Sequence, residues 1–315
     1  MNKIRISVII PTYNPDQARL NQTLTALKKQ TLPAQDWEII LVDNNSNNDA
    51  LLHLETLWHP NFRIVKETKQ GLTYARIKGF KQANGDFIVM VDDDNLLDNH
   101  YLATVLSFFE KNIQVGSIGG KSIALFENLV PEKWKKDFLK MLAVRDLGDD
   151  LLISDTTLTV YPTFAPIGAG MGLKKEALKA YIDDIENNEN ITTDRVGNSL
   201  ASGGDNEINI FMLKQGYAVA YLSQLTLQHI IPSTRLSKYY LARLNSDSSE
   251  SWVKLLHKHG LSPWRPIHPF TLRLRLIKAF IKHRPWRSEA HYIHYKGSCG
   301  ILKGLAQNYV NSYKK

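Results

Sequence analysis

Apolar and polar positions alternate between two periods along the first hundred residues. Ile4 to Ile10 is a run rich in β-branched residues that Pro11 ends, the signature of a buried strand, and Ala18 to Lys29 places Leu20, Leu24 and Leu27 on one helical face. The pattern then repeats. Trp37 to Val42 reads as a strand ending at Asp43, Asp49 to Leu57 as a helix, Phe62 to Lys66 as a short strand, Gly71 to Ala83 as a helix and Phe87 to Val91 as a strand. Strands alternating with helices predict an α/β fold, a mostly parallel sheet with helices on both faces, whose ligands sit beyond the carboxyl ends of the strands. Further on, Tyr101 to Lys111 reads as helix and Val115 to Ile123 as extended chain. Glu132 to Val144 reads as helix, with Trp134, Phe138 and Leu142 at compatible spacing, and Pro162 to Leu178 as a glycine-rich strand or loop feeding a helix. Ser233 to His259 continues as a long helix-forming stretch.

Three polar clusters fall at the carboxyl ends of these strands: PTYN (Pro11 to Asn14), DNNSNND (Asp43 to Asp49) and DDDN (Asp92 to Asn95). If the sheet is parallel, all three line one edge, the usual place for binding residues. Three adjacent carboxylates repel one another, and a hard cation such as Mg²⁺ or Mn²⁺, shared with phosphate oxygens, is their natural complement. The competing reading of DDDN is a solvated turn. Asp205 follows two glycines and precedes Ile208, Phe211, Met212 and Leu213, so it stands at a helix start, where a carboxylate can also serve only as a cap.

The chain has 315 residues, enough for a sizeable core, with 43% hydrophobic and 22% charged residues and no repeat or low-complexity segment. One cysteine, Cys299, excludes an internal disulfide framework and a multi-cysteine metal site. The apolar run before Pro11 is too short for a signal peptide, and no segment approaches the roughly 20 apolar residues that span a bilayer, so a cytoplasmic protein is expected. The net charge of +8 is uneven: residues 261 to 315 hold eleven Lys or Arg against Glu289 alone, which leaves 28 bases against 30 acids in the rest.

In their order, the motifs VIIPTYN, VDNNSNND, GLTYARIKGF, VDDD and GGDNEINIFMLKQGY resemble those of the family 2 glycosyltransferases of GT-A fold, across about two-thirds of the chain. The resemblance implies a GT-A domain over residues 1–230, with a nucleotide-binding half (1–115) and an acceptor half (116–230), followed by a helical basic extension (231–315). It implies a non-processive bacterial hexosyltransferase with Mn²⁺ or Mg²⁺ as cofactor. Pro11, Thr12, Tyr13, Asn14, Asp43, Gly71, Arg76, Asp92 and Asp93 would bind the nucleotide, with Tyr13 stacking on the base and Asp43 accepting from a base N–H, a pairing that suits uracil. Asp94 is the first expected metal ligand, with Asp92 and, by a late histidine common to such enzymes, His229; the competing reading of His229 is a hydrogen-bonded core residue. Asp205 would be the general base of an inverting displacement. This chain departs from the commoner pattern in having Gly204 where a Glu often precedes the base. Glu207, two positions on, differs from Asp205 by about 200° around a helix, so the two cannot face one acceptor.

The implied partners are a nucleotide-sugar donor, probed first as a UDP-sugar, and a glycan or lipid-linked acceptor in surface polysaccharide synthesis. Thr271 to Arg287 mixes bases with Leu, Ile and Phe, which suits either an anionic membrane interface, at the inner face of the cell membrane, or a packed helix with a solvated basic face. Two other classes are a nucleotide-sugar-binding protein without transferase activity and a nucleic-acid-binding protein using the basic tail. No nucleic-acid-binding signature accompanies that tail, so nucleic acid is not an expected partner.

Overall fold

The computed structural model of the chain describes residues 3–128, 130–158, 160–187, 194 and 200–312. Lys314 and Lys315 of the basic tail lie outside the described residues. Two compact units are present. The first takes the described residues within Met1–Leu125, Ala143–Ile191 and Asp205–Ile230, the second those within Phe126–Leu142, Thr192–Gly204 and Ile231–Lys315.

The first unit opens with β1 (Ile6–Thr12), α1 (Gln17–Lys28), β2 (Trp37–Asp43), β3 (Phe62–Lys66), α2 (Leu72–Gln82) and β4 (Phe87–Met90). There follow β5 (Asn95–Leu97), α3 (Tyr101–Lys111), β6 (Val115–Phe126), β7 (Leu152–Ile153), β8 (Gly172–Lys174), α4 (Lys179–Asn187), α5 (Gly204–Lys214) and β9 (Ala218–Ile231). Among the described residues the strands form one sheet in the spatial order β3, β2, β1, β4, β8, β6, β9, β5, with β7 beside β9. The strands predicted from the N-terminal pattern, β1 to β4, pair in parallel. β8 then joins β4 and β6 antiparallel, and β5 and β7 pair antiparallel with β9.

Side-chain alternation sorts the core into two layers. Ile6, Val8 and Ile10 with Ile39 and Leu41 pack with Leu20, Leu24 and Leu27 of α1 and with Leu102, Val105 and Phe109 of α3. Ile9, Ile40 and Val42 face the other way, onto Ala75, Ile77 and Phe80 of α2, Tyr181 of α4 and Ile208 and Met212 of α5. Helices on both faces therefore follow from central strands, β1 and β2, that are buried on both sides along nearly their whole length.

Two expected helices differ. Asp49–Leu57 forms turns, with the Leu52 N–H donating to the Asp49 carbonyl. Leu51 and Leu54 pack on the core while Leu52 and Leu57 are exposed, so the apolar positions do not make one continuous helical stripe. Glu132–Val144 is tighter than expected, a 3₁₀ stretch over Lys133–Leu142, and Ala143 after it has a left-handed φ of 55°.

The second unit is helical, with α6 (Lys238–Lys258), α7 (Leu272–His283) and α8 (Glu289–Ser312). α6 and α8 lie against each other at close range: a Cβ on Gly300 of α8 would fall 2.0 Å from the Ser246 carbonyl oxygen of α6, so no larger residue fits there. Among the described residues no helix is long and apolar enough to cross a membrane.

Candidate active site

The carboxyl ends of β1 and β2 stand side by side, with Thr12 opposite Asp43, and their two loops are laced together. Asp43 Oδ1 accepts from the Ser46 N–H, three residues on, at 2.9 Å, which folds the loop back on the strand end. Ser46 Oγ accepts from the Asn14 N–H at 2.9 Å, and Asn14 Oδ1 accepts from the Asn47 N–H at 2.8 Å. Asn14 and Asn45 take left-handed φ values of 48° and 63°, which asparagine tolerates better than most residues. Pro11 and Thr12 are buried as the last residues of β1, whereas Tyr13 is 46% exposed, with ring surface open to a stacking partner. Asn44 ties in the next segment: its amide donates to the carbonyls of Glu67 and Lys69, and its Oδ1 accepts from the Gly71 N–H at 2.7 Å. That bond sets the start of α2, the helix carrying Arg76.

The acidic triplet follows β4, and its members have different partners. Asp93 accepts from the Thr12 hydroxyl at 2.5 Å, which joins the triplet to the first loop. Asp94 is buried and accepts from the Asn95 amide at 3.1 Å. Asn95 stands opposite His229 in the β5–β9 pairing, and this register brings His229 Nε2 to 3.4 Å from Asp94 Oδ1. Asp92 is half-buried, and its N–H donates to Asn95 Oδ1 at 3.2 Å. Among the described residues no three His, Cys, Asp or Glu side chains converge as a complete metal cage. Asp94 and His229 make a two-member donor set of carboxylate and imidazole. Such a set fits a divalent ion whose remaining positions are filled by phosphate oxygens and water, as is usual for Mg²⁺ and Mn²⁺.

Asp205, in the first turn of α5, is held by two backbone donors: the Gly168 N–H at 2.9 Å to Oδ2 and the Asn206 N–H at 2.9 Å to Oδ1. Gly168 lies at the same sheet edge as the other loops, because β8 runs antiparallel to β4 with Gly172 opposite Val89, so the chain before Gly172 continues past the carboxyl end of β4. Arg76, nearly fully buried, reaches the same glycine: a Cβ on Gly168 would fall 2.9 Å from Arg76 Nη2 and 3.6 Å from Asp205 Cβ. One glycine thus adjoins both the expected base and an expected nucleotide contact. Glu207, fully buried, is not available at the surface.

Sequence reasoning missed a second layer around Asp205. Arg145 donates to the carbonyls of Ala165 (2.7 Å) and Phe164 (2.9 Å), anchoring the segment that leads to Gly168. Burial lowers the Arg145 pKa from its ordinary value, while Tyr161, Tyr221 and the Asp205 carboxylate act in the opposite sense. Burial, and after it the negative charge of Asp205, raises the Tyr161 pKa, so this hydroxyl stays protonated. It donates to Asn206 Oδ1 at 2.7 Å and accepts from Asn209 Nδ2, which also donates to the Pro166 carbonyl. No sequence pattern distinguishes Arg145 from the surface bases near it; the signal is its bridge to Ser122 of β6, a contact visible only in three dimensions.

Comparison with known proteins gives a consistent picture. The family model described as Glycosyl transferase family 2 matches residues 7–167. The poly(ribitol-phosphate) beta-N-acetylglucosaminyltransferase TarS of Staphylococcus aureus is 26% identical over 140 residues, 41% of this chain and 24% of that protein. The GalNAc(5)-diNAcBac-PP-undecaprenol beta-1,3-glucosyltransferase of Campylobacter jejuni is 32% identical over 106 residues, 32% of this chain and 33% of that protein. The chain thus matches about a quarter to a third of the length of these two relatives. The crystal structure of S. aureus TarS 1-349 in complex with UDP-GlcNAc superposes with a TM-score of 0.51 at 18% identity, covering 98% of this chain and 92% of that one. The expected GT-A architecture with a helical C-terminal region is the observed fold.

Proposed function

Because the chain belongs to glycosyl transferase family 2, we propose that it is an inverting glycosyltransferase acting in surface polysaccharide synthesis. The donor is a nucleotide sugar, a UDP-sugar first among them, and the acceptor is a hydroxyl of a glycan or lipid-linked oligosaccharide. The observation that carries this reading is the junction at Gly168, where the glycine N–H holds Asp205 and Arg76 lies beside the same backbone. UDP-GlcNAc in the TarS structure supports the donor class. The poly(ribitol-phosphate) and undecaprenol-linked substrates in the relatives' names support the acceptor class.

The acceptor hydroxyl, with a pKa far above neutral, needs a base as it attacks the anomeric carbon. Asp205 takes that proton while the bond from the anomeric carbon to the diphosphate oxygen breaks, and a single displacement inverts the configuration. The Gly168 and Asn206 N–H groups orient the carboxylate, and the two lone pairs on each of its oxygens leave acceptor capacity for a hydroxyl. Tyr13 and Asp43 serve the base of the nucleotide, with Pro11, Thr12, Asn14 and Gly71 shaping the loop around it. Arg76, Asp92 and Asp93 serve ribose and phosphates. Asp94, with His229 and Asp92, would hold Mn²⁺ or Mg²⁺, which supplies Lewis-acid stabilisation of the leaving diphosphate. The proposed location is the cytoplasm, on the inner face of the cell membrane, reached through the basic C-terminal segment; nucleic acid is not a proposed partner.

A panel of nucleotide sugars tested with Mn²⁺ for thermal stabilisation and slow hydrolysis examines the reading. At least one UDP-sugar is expected to raise the melting temperature in a metal-dependent way. A response to none of them, with metal present, overturns the donor assignment.

A further inference from the structure

Among the described residues, α7 is anchored on one side only. Leu272 packs on the cluster of Val253, Ile267, Leu305 and Ala306, Ala279 is buried, and Ser298 of α8 pairs with His283 Nε2 at 2.7 Å. The opposite face carries Leu274 (72% exposed), Ile277 (57%) and Ile281 (62%), which at 100° per residue fall within about 60° of one another. Phe280 widens this stripe and its ring lies 5.1 Å from that of Trp286, itself exposed; Phe270 stands at the N-terminal end of the helix, 90% exposed. Six large apolar side chains therefore share one stretch of seventeen residues and face water.

Bases frame the stripe. Lys278, Lys282 and Arg275 fall about 40–100° to one side of Leu274 and Arg273 about 100° to the other, while Arg284 and Arg287 follow the helix C-terminus. Between Thr271 and Arg287 there is no acid. A symmetric contact between two copies through this face would set like charges against each other, which disfavours self-association. Nucleic acid would meet the bases but leave the apolar stripe uncovered. An anionic bilayer matches both: acyl chains take the stripe, headgroups take the bases, and Trp286 sits at the depth where tryptophan is enriched.

We propose that α7, with Phe270 and Trp286, lies in the plane of an anionic lipid surface with Leu274, Ile277 and Ile281 inserted and Lys278 and Lys282 at the headgroups. The inference deepens the membrane-facing part of the function proposed above, but its readout is vesicle binding, independent of sugar transfer.

The test is co-sedimentation of the full chain with vesicles of phosphatidylcholine alone and of equal parts phosphatidylcholine and phosphatidylglycerol. Two variants accompany it: Leu274→Ser/Ile277→Ser/Ile281→Ser and Lys278→Glu/Lys282→Glu. Binding to the anionic vesicles alone is expected, weakened by salt. The charge variant should bind at least ~10-fold less, since each base near such a surface is worth about fivefold. The apolar variant should lose retention as well. UDP-induced thermal stabilisation, measured on the same preparations, should be unchanged in both, which reports intact folding and separates failure of this proposal from failure of the donor reading. Equal binding by wild type and variants overturns it, as does wild type that ignores anionic vesicles. It is equally overturned by preferential retention on duplex DNA, or by an oligomer in light scattering that the serine variant dissociates.

Discussion

Asp205→Asn removes the proposed base while changing the side chain by one atom, and the structure allows both of its consequences to be sized. The carboxylate accepts two backbone N–H groups, from Gly168 and Asn206. An asparagine has one acceptor oxygen, so its NH₂ must face one of those donors, and an unsatisfied donor of this kind costs about 1–3 kcal/mol. A lowering of the melting temperature by a few degrees is therefore expected, together with a fall in turnover of at least ~10², or about 2.7 kcal/mol of barrier, from the lost base. Donor binding should be preserved, because the contacts proposed for the nucleotide lie in the β1, β2 and β4 loops and on α2 with its cap Gly71, and none of them is Asp205 itself. The assay is steady-state transfer with a responsive UDP-sugar, paired with calorimetric titration of UDP in the presence of Mn²⁺. Turnover within about threefold of wild type would remove Asp205 from the role. A turnover loss matched by an equal loss of UDP affinity would refute the division of labour, since the damage would then lie in the Gly168 and Arg76 geometry and not in proton transfer.

Asp94→Asn should raise the Mn²⁺ concentration giving half-maximal donor hydrolysis by at least ~10-fold, and an unchanged Mn²⁺ dependence would leave the Asp94 and His229 pair a structural contact. Folding stability should fall on acidification through His59, which packs its ring 4.1 Å from that of Trp37 and whose pKa burial pushes down to about 4 from 6.5. Below pH 6.5 the unfolded chain takes up a proton that the folded chain refuses until about pH 4, so stability is lost across that window as pH falls. The loss is about 2 kcal/mol between pH 7 and pH 5 by denaturant titration, and a His59→Phe variant with the same pH dependence would show that this histidine is not its source.

What was legible in the sequence was whatever depends on neighbours a few residues apart. β1 to β4 and α1 to α3 followed from apolar periodicity, because each buries a face that its own spacing defines. The failure at Asp49–Leu57 has the same origin: leucines suggested a helix, but only Leu51 and Leu54 found core to pack against, and a short helix with so little burial does not repay its nucleation. The candidate site was legible as residue types and illegible as contacts. His229 lies far along the chain from Asp94 and reaches it only through the register of β5 on β9, a pairing that a three-residue strand does not announce. Arg145 and Tyr161 carried no signal, since their relation to Asp205 depends on how the segment from Ala143 to Gly168 returns to the sheet edge.

The turn after β4 explains how three consecutive carboxylates can stand at the end of a buried strand. Mutual repulsion is costly only where the groups share one poorly solvated space. Here the chain turns immediately after β4, and the turn sends each acid to a different neighbour: Asp93 to the Thr12 hydroxyl, Asp94 to the Asn95 amide and His229, and Asp92 to a half-buried position. Asn95 organises that turn, since its side chain accepts from the Asp92 N–H and donates to Asp94 while its backbone pairs with β9. The triplet is therefore not one acidic patch but three carboxylates in different surroundings, two of them with partners of their own. Under the proposed function, that separation would let Asp93 brace the end of β1 through the Thr12 hydroxyl while Asp94, beside His229, meets a cation.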